Sequence, residues 1–171
     1  MRKRSGNMKQ KMMSLLLEYL KDSKRSDREI AKVLGVSQPT ITRMRQRLVK
    51  EAAIKDFTVI PDFVEMGYEI VAVSCFKLRV TEESMEKAKK VTMSKPNIIF
   101  ASSGHGMRKD AVMISLHKNY TDFSKFLRDL RLEGGNDLQD YNTMLISLEG
   151  RIVKPFSLTY LGEQRTNIEE D

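Results

Sequence analysis

Two helical segments meet at Gly35 with almost no chain between them. Ser26 followed by Glu29 forms a capping box, which predicts the start of the first of these helices. Gly35 predicts its end, and Ser37 predicts the N-cap of the next helix. Helices joined by so short a turn must cross steeply, and Ala31 supplies the small side chain that such a crossing requires. The pattern predicts a helix-turn-helix, with a simple helical hairpin as the alternative.

A further amphipathic helix precedes the pair, over residues 11–21, and Pro39 lies in the first turn of the last helix, which is predicted over 38–52. Apolar residues at helical spacing predict a shared core that includes Ile30, Leu34, Val36, Ile41, Met44 and Leu48. The N-terminal third of the chain is therefore expected to form three helices.

The side of the last helix opposite its apolar stripe carries no acidic residue before Glu51. An ordinary surface helix mixes Glu with Lys, whereas Arg, Gln and Thr are suited to base edges and phosphates. Arg43 and Gln46 are assigned to bases, and Arg45 is expected to be structural. The residues predicted to bind DNA are Ser37, Gln38, Pro39, Thr40, Thr42, Arg43, Gln46, Arg47 and Lys50.

Charge supports this interpretation. Residues 1–56 hold 15 Lys and Arg against 6 Asp and Glu, whereas residues 57–171 hold 15 against 17. A basic N-terminal third joined to a near-neutral remainder is typical of a polyanion-binding protein, although a basic N-terminus can also serve solubility alone.

Alternation of Ile54, Phe57 and Val59 predicts a short wing strand that ends at Pro61. The expected organisation is a winged helix-turn-helix domain over 8–61, a hinge over 62–68, a second domain over 69–161 and a flexible tail over 162–171.

The second domain shows the order β-α-β-β-α-β, with a fifth strand expected within residues 152–161. This order is that of the ferredoxin-like fold, whose sheet carries both helices on one face. The fold class is thus α+β. The other face of the sheet must also be covered, and a second copy of the chain is the simplest way to cover it, which predicts a homodimer.

The stretch from Asp27 to Arg43, residues 54–57, and Met66-Gly67-Tyr68 together resemble the Lrp/AsnC (leucine-responsive/asparagine-synthesis) family of transcription regulators, and the resemblance covers about residues 12–155. It implies regulation of transcription through duplex DNA, dimerisation by the C-terminal domain, further assembly into tetramers or octamers, and sensing of an amino acid.

The family usually has a Gly-x-x-Asp turn between the second and third strands of this domain. Here Gly104 and Asp110 are six residues apart, so they match that motif in type and not in spacing. An amino acid or another small-molecule effector, such as an acidic one, is expected at Gly104, His105, Arg108 and Asp110; the alternative is a hydrated hairpin loop.

Other classes find little support. No apolar run reaches the ~18 residues of a membrane span, and the single cysteine, Cys75, suits a reducing cytoplasm. His105 and His117 do not make a metal site, and no nucleophile triad or phosphate-binding loop is present, so neither a cofactor nor a catalytic residue is expected. Two alternatives remain: an enzyme that resembles the siroheme decarboxylases, which share this two-domain plan, and an effector-binding partner protein without a DNA target.

Overall fold

The computed structural model describes residues 2–79 and 81–163, in two units. One comprises residues 2–60 together with 155–163, and the other comprises Pro61–Lys154. The elements, in chain order, are α1 (Arg2–Lys21), α2 (Asp27–Leu34), α3 (Gln38–Lys50), β1 (Ile70–Leu78), α4 (Glu82–Met93), β2 (Ile98–Gly106), β3 (Lys109–His117), α5 (Tyr120–Gly134), a 3₁₀ turn (Gly135–Asp137), β4 (Leu138–Ser147) and α6 (Thr159–Glu163).

The local signals around α2 have the predicted effect. The Glu29 amide donates to Ser26 Oγ, and the Ser26 amide donates to a Glu29 carboxylate oxygen 2.7 Å away, so both halves of the capping box form. Gly35 has φ +61°, a left-handed conformation that glycine adopts without steric cost. The sharp stop and restart between α2 and α3 are therefore encoded locally.

The core of this unit confirms the predicted apolar stripe. Ile30 and Ile41 are fully buried, and Ala31 is buried at the crossing of α2 and α3. Leu15 and Tyr19 of α1 complete the cluster, which thereby joins the three helices. Helix α3 ends at Lys50, two residues earlier than predicted, because Ala52 leaves the helical region with φ +55°.

The predicted wing strand does not form, since residues 54–60 are irregular. The described part of this unit offers no second strand, and a lone extended segment cannot satisfy a ladder of backbone hydrogen bonds. Ile54 is buried against the helices, and the Phe57 ring packs edge-on against Tyr19 with centroids 6.1 Å apart. The alternation thus reflects two separate contacts with the helices.

The second unit has the predicted β-α-β-β-α-β order. Its sheet is antiparallel, with strand order β2-β3-β1-β4, as expected for a ferredoxin-like fold. Phe76, Met113 and Phe126 form the core between the sheet and α5. His117 is also buried, between the rings of Phe123 and Phe126, so it is part of the packing of this unit.

The predicted fifth strand does not form. Residues 152–158 are irregular, and Thr159–Glu163 forms α6, which packs on α1 within the N-terminal unit. The domain predicted over 69–161 therefore loses residues 155–161 to the other unit. Of the predicted flexible tail, Gly162 is buried against α1, and residues 164–171 lie outside the described residues.

Across the described ranges, no helix combines the length and the apolar character that a membrane crossing demands.

We predict that Gly162→Ala lowers the free energy of unfolding of the N-terminal unit by roughly 1–3 kcal/mol, because the added methyl group overpacks the contact with α1. A Cβ at this position would lie 3.0 Å from the Leu17 carbonyl oxygen and 2.8 Å from Lys21 Cγ. Gly104→Ala is the matched control, since nothing lies within 4 Å of a Cβ there. Urea unfolding measures both, and equal stability of the two variants would contradict the packing of α6 on α1.

Candidate DNA-binding surface

Helix α3 buries one side and presents the other to solvent. Ile41, Met44 and Leu48 face the core of the unit, whereas Arg43 and Gln46 are exposed. These positions follow the helical period, so the division into two faces is a direct result of the apolar spacing. The exposed side carries no acidic residue within the helix itself.

A single carboxylate, that of Asp27 at the start of α2, fixes how α3 is held. Thr42 Oγ1 donates to Asp27 Oδ2 over 2.6 Å, and Arg45 Nη2 lies 3.1 Å from the same oxygen. Tyr19 Oη of α1 donates to Asp27 Oδ1 over 3.1 Å. Because its three donors come from two other helices, Asp27 fixes the rotation of α3 about its own axis.

The ionisation of this cluster follows from its contacts. Burial alone would raise the pKa of Asp27, but hydrogen bonds from Thr42 and Tyr19 and the Arg45 guanidinium outweigh it and lower that pKa. Burial and the adjacent Asp27 carboxylate raise the pKa of Tyr19 to about 12. At neutral pH Asp27 is therefore charged and Tyr19 carries the proton that it donates.

The structure exposes most of the residues predicted to bind DNA. Within the described ranges, the side chains of Arg43, Gln46 and Lys50 make neither a hydrogen bond nor an ion pair. Arg47 is exposed as well, but its Nε donates to Glu51 over 2.7 Å. That pair joins two half-exposed side chains on the surface, so it is weak enough for Arg47 to exchange partners.

The first turn of α3 presents polar groups at its positive dipole end. Ser37 is the N-cap, but its hydroxyl bonds the Thr40 hydroxyl 2.8 Å away and makes no bond to the helix backbone. Gln38 and Pro39 are exposed beside it. A helix N-terminus with two hydroxyl groups is suited to a phosphate.

Thr42 was also predicted to contact DNA, but its hydroxyl is directed into the protein. Its hydroxyl points to Asp27 and is half-buried, so it is not available to a base. The role of Asp27 is not visible in the sequence pattern, because its partners lie 8, 15 and 18 residues away along the chain. Arg45, which was expected to be structural, is one of these partners.

The residues predicted to bind an effector lie on the hairpin of β2 and β3. The turn of this hairpin is tight, since β2 runs to Gly106 and β3 begins at Lys109. Met107 and Arg108 form the turn with φ +48° and +60°, a conformation that side chains other than glycine adopt at a cost. His105 and Arg108 are exposed near the tip.

Asp110 is held within the sheet and does not project from the hairpin. Its Oδ2 lies 3.1 Å from Lys77 Nζ and accepts from the Leu78 amide over 3.3 Å. The hydrogen bond from Lys77 is the main cause that lowers the pKa of Asp110. Of the four predicted residues, His105 and Arg108 are thus exposed, whereas Gly104 and Asp110 are half-buried.

Comparison with known proteins gives a consistent picture. No protein-family model matches the chain. The uncharacterised HTH-type transcriptional regulator PH1692 of Pyrococcus horikoshii is 31% identical over 114 residues, which span 64% of this chain and 72% of that protein. The HTH-type transcriptional regulator PF1734 of Pyrococcus furiosus, also uncharacterised, is 29% identical over 129 residues, or 72% of this chain and 80% of that protein.

Solved structures share the whole fold at low sequence identity. PH0061 superposes with a TM-score of 0.74 at 22% identity and covers 86% of this chain and 95% of its own. AsnC of E. coli has a TM-score of 0.70 at 15% identity, with 86% and 96% covered. The Neisseria meningitidis regulator NMB0573, solved as a complex with L-Met, has a TM-score of 0.73 at 14% identity, with 88% and 97% covered.

We predict that Asp27→Asn destabilises the N-terminal unit at pH 7 by roughly 1.5–3 kcal/mol, the range for a hydrogen-bonded charged group. Because the native pKa of Asp27 lies below its ordinary value near 3.8, its stabilisation is complete above that value and is lost as pH falls through the native pKa. The difference between the two proteins should therefore shrink below about pH 4. Urea unfolding from pH 7 to pH 2.5 measures it, and a difference independent of pH would contradict this role for Asp27.

Proposed function

Since the chain belongs to the Lrp/AsnC family of HTH-type transcriptional regulators, we propose that it binds specific duplex DNA sequences as a homo-oligomer and inserts α3 into the major groove. One observation carries this proposal: the acid-free face of α3 is exposed while its other face is locked to α1 and α2. A helix held in this way presents its side chains as a rigid set, which base readout needs.

The exposed side chains divide into two roles. Arg43 is proposed to contact guanine O6 and N7, and Gln46 to contact adenine N6 and N7, since these side chains match those edges in pairs of hydrogen bonds. Arg47 and Lys50 are proposed to contact phosphates farther along the helix. At its N-terminus, Ser37 and its neighbours Gln38, Pro39 and Thr40 are proposed to lie against the DNA backbone. Thr42 is proposed to position α3 through Asp27.

Dimerisation is proposed to use the face of the sheet that carries no helix. Strand register places Val73 of β1 beside Ile114 of β3 and Met144 of β4 on this face. Met144 is 68% exposed, and Phe100 of β2 is 51% exposed. A contiguous apolar sheet face is typical of an interface, and a two-fold dimer covers it with an identical surface.

A dimer of this kind carries two copies of α3. It is proposed to bind half-sites about one helical turn, or a multiple of it, apart. Further assembly of dimers, and regulation by an amino acid or another small molecule at His105 and Arg108 with Gly104 and Asp110, are proposed by analogy with the family; the relative NMB0573 was solved with L-Met.

A regulator is favoured over the decarboxylase-like enzyme. That alternative needs His105 and Arg108 around an enclosed substrate, but Arg108 is exposed in the turn at the tip of a hairpin. It also leaves the exposed Arg43, Gln46 and Lys50 without a purpose. A non-enzymatic role in the cytoplasm, without a cofactor, is therefore proposed.

We predict different binding defects for Arg43→Ala and Lys50→Ala. Arg43→Ala should cost ~1–3 kcal/mol on the preferred site and relax the preference at one base pair, because it removes a base contact. Lys50→Ala should weaken all sequences about equally and reduce the slope of log K against log salt by about 1. Binding-site selection followed by fluorescence anisotropy measures both effects. If Arg43→Ala weakens every sequence equally, the assignment of Arg43 to a base is wrong.

We predict that Met144→Lys converts the dimer into a monomer, because a charge would be buried in the interface that the apolar sheet face forms. The matched control is Met107→Lys, at a site 80% exposed on the hairpin tip. Sedimentation equilibrium measures the mass of each variant. A dimeric Met144→Lys variant would contradict the proposed interface, and the two half-sites would then need another explanation.

A further inference from the structure

A cavity of about 400 Å³ lies between α4 and the face of the sheet that carries the helices. Its lining belongs entirely to the second unit and includes Phe76, Met85, Ala88, Ala111, Met113 and Leu138. The volume falls within the roughly 300–1,000 Å³ of small-molecule sites. Because the cavity opens to solvent, water within it leaves the apolar lining hydrated, and an apolar ligand that displaces this water would gain the burial of that lining.

The cavity arises from small side chains on both layers. Ala88 of α4 faces the sheet, where Ala101 of β2 and Ala111 of β3 also line the cavity. Under α5, by contrast, the same sheet meets the large rings of Phe123 and Phe126, both of which are buried. The two halves of one helix-sheet interface are thus filled differently, and the sequence itself leaves space under α4.

Three polar groups in the lining, those of Asp110, Asp137 and Ser84, already have partners, and His105 also borders the cavity. The Asp110 carboxylate is held by Lys77, and Asp137 lies 3.7 Å from Lys87. Ser84 is engaged in the N-terminal cap of α4. The cavity therefore offers no unpaired charge among these groups, and a charged ligand would lose its hydration without compensation.

Methionines surround the space from both layers. Met113 is buried in the sheet, whereas Met85 and Met93 of α4 line the cavity and remain 41% and 80% exposed, so they lie where the cavity meets solvent. Unbranched thioether side chains adjust to ligands of varied shape.

We propose that the cavity under α4 is a binding site for an uncharged, apolar small molecule. The site is internal to one protomer. His105 and Asp110 border it, but its lining is mostly apolar, and the exposed Arg108 of the hairpin tip is not part of it. Because the site belongs to the second unit alone, its occupancy can be measured without DNA, and a failure here would leave the proposed DNA binding untouched.

The test uses the full chain and the neutral fluorescent probe N-phenyl-1-naphthylamine. Wild-type protein should bind the probe at one saturable site per chain, with a rise in melting temperature as the probe concentration increases. Ala88→Leu fills the cavity, so it should raise the melting temperature of the free protein and weaken probe binding by at least about tenfold. Ala53→Leu, which adds the same atoms at an exposed position of the other unit, should bind the probe as wild type does.

Each other outcome overturns the proposal. An Ala88→Leu variant that binds the probe normally, or that melts at a lower temperature, would show that the space under α4 is not an open site. Probe binding that survives Ala88→Leu and disappears in Met144→Lys would place the probe on the outer sheet face. Wild-type protein that does not bind the probe, or does not saturate, would also contradict it.

Discussion

The orientation of the exposed helix α3 depends on one half-buried carboxylate. Asp27 accepts hydrogen bonds from Tyr19 of α1 and from Thr42 and Arg45 of α3, while its own helix, α2, is capped independently by Ser26. Apolar packing of Ile30 and Ile41 holds the helices together but tolerates small rotations, because it is not directional. Hydrogen bonds to a fixed carboxylate are directional. The face that carries Arg43 and Gln46 is therefore set by a group that touches neither residue.

The second unit uses the two faces of one sheet differently. One face is covered by α4 and α5, and the other presents Val73, Ile114 and Met144 without a helix above it. The first face is itself divided, since aromatic rings fill the space under α5 and alanines leave it open under α4. The fold thus supplies an apolar face for a second copy and an internal space for a ligand. Met144, on the first, does not line the second.

Local sequence signals were sufficient to predict those parts of the structure that depend on neighbouring residues. Ser26, Glu29 and Gly35 predicted the ends of α2, and strand alternation predicted the β-α-β-β-α-β order. Prediction failed where the outcome depends on distant partners. The apolar alternation near Phe57 has no strand to pair with and packs on Tyr19 instead.

A fifth strand was predicted within residues 152–161, but residues 159–163 form α6, which packs on α1, where Gly162 permits close approach. The role of Asp27 was not predicted for the same reason, and neither was the hydrogen bond that Thr42 donates to it. The exposed side of α3 was otherwise predicted from spacing alone.

Dimethyl sulfate footprinting on a duplex selected by the protein tests most directly whether this side of α3 lies in a major groove. Insertion of α3 from both protomers predicts two clusters of protected guanine N7 atoms about 10 base pairs, or a multiple of that, apart. Protection confined to adenine N3 in the minor groove, with every guanine N7 still reactive, would contradict it.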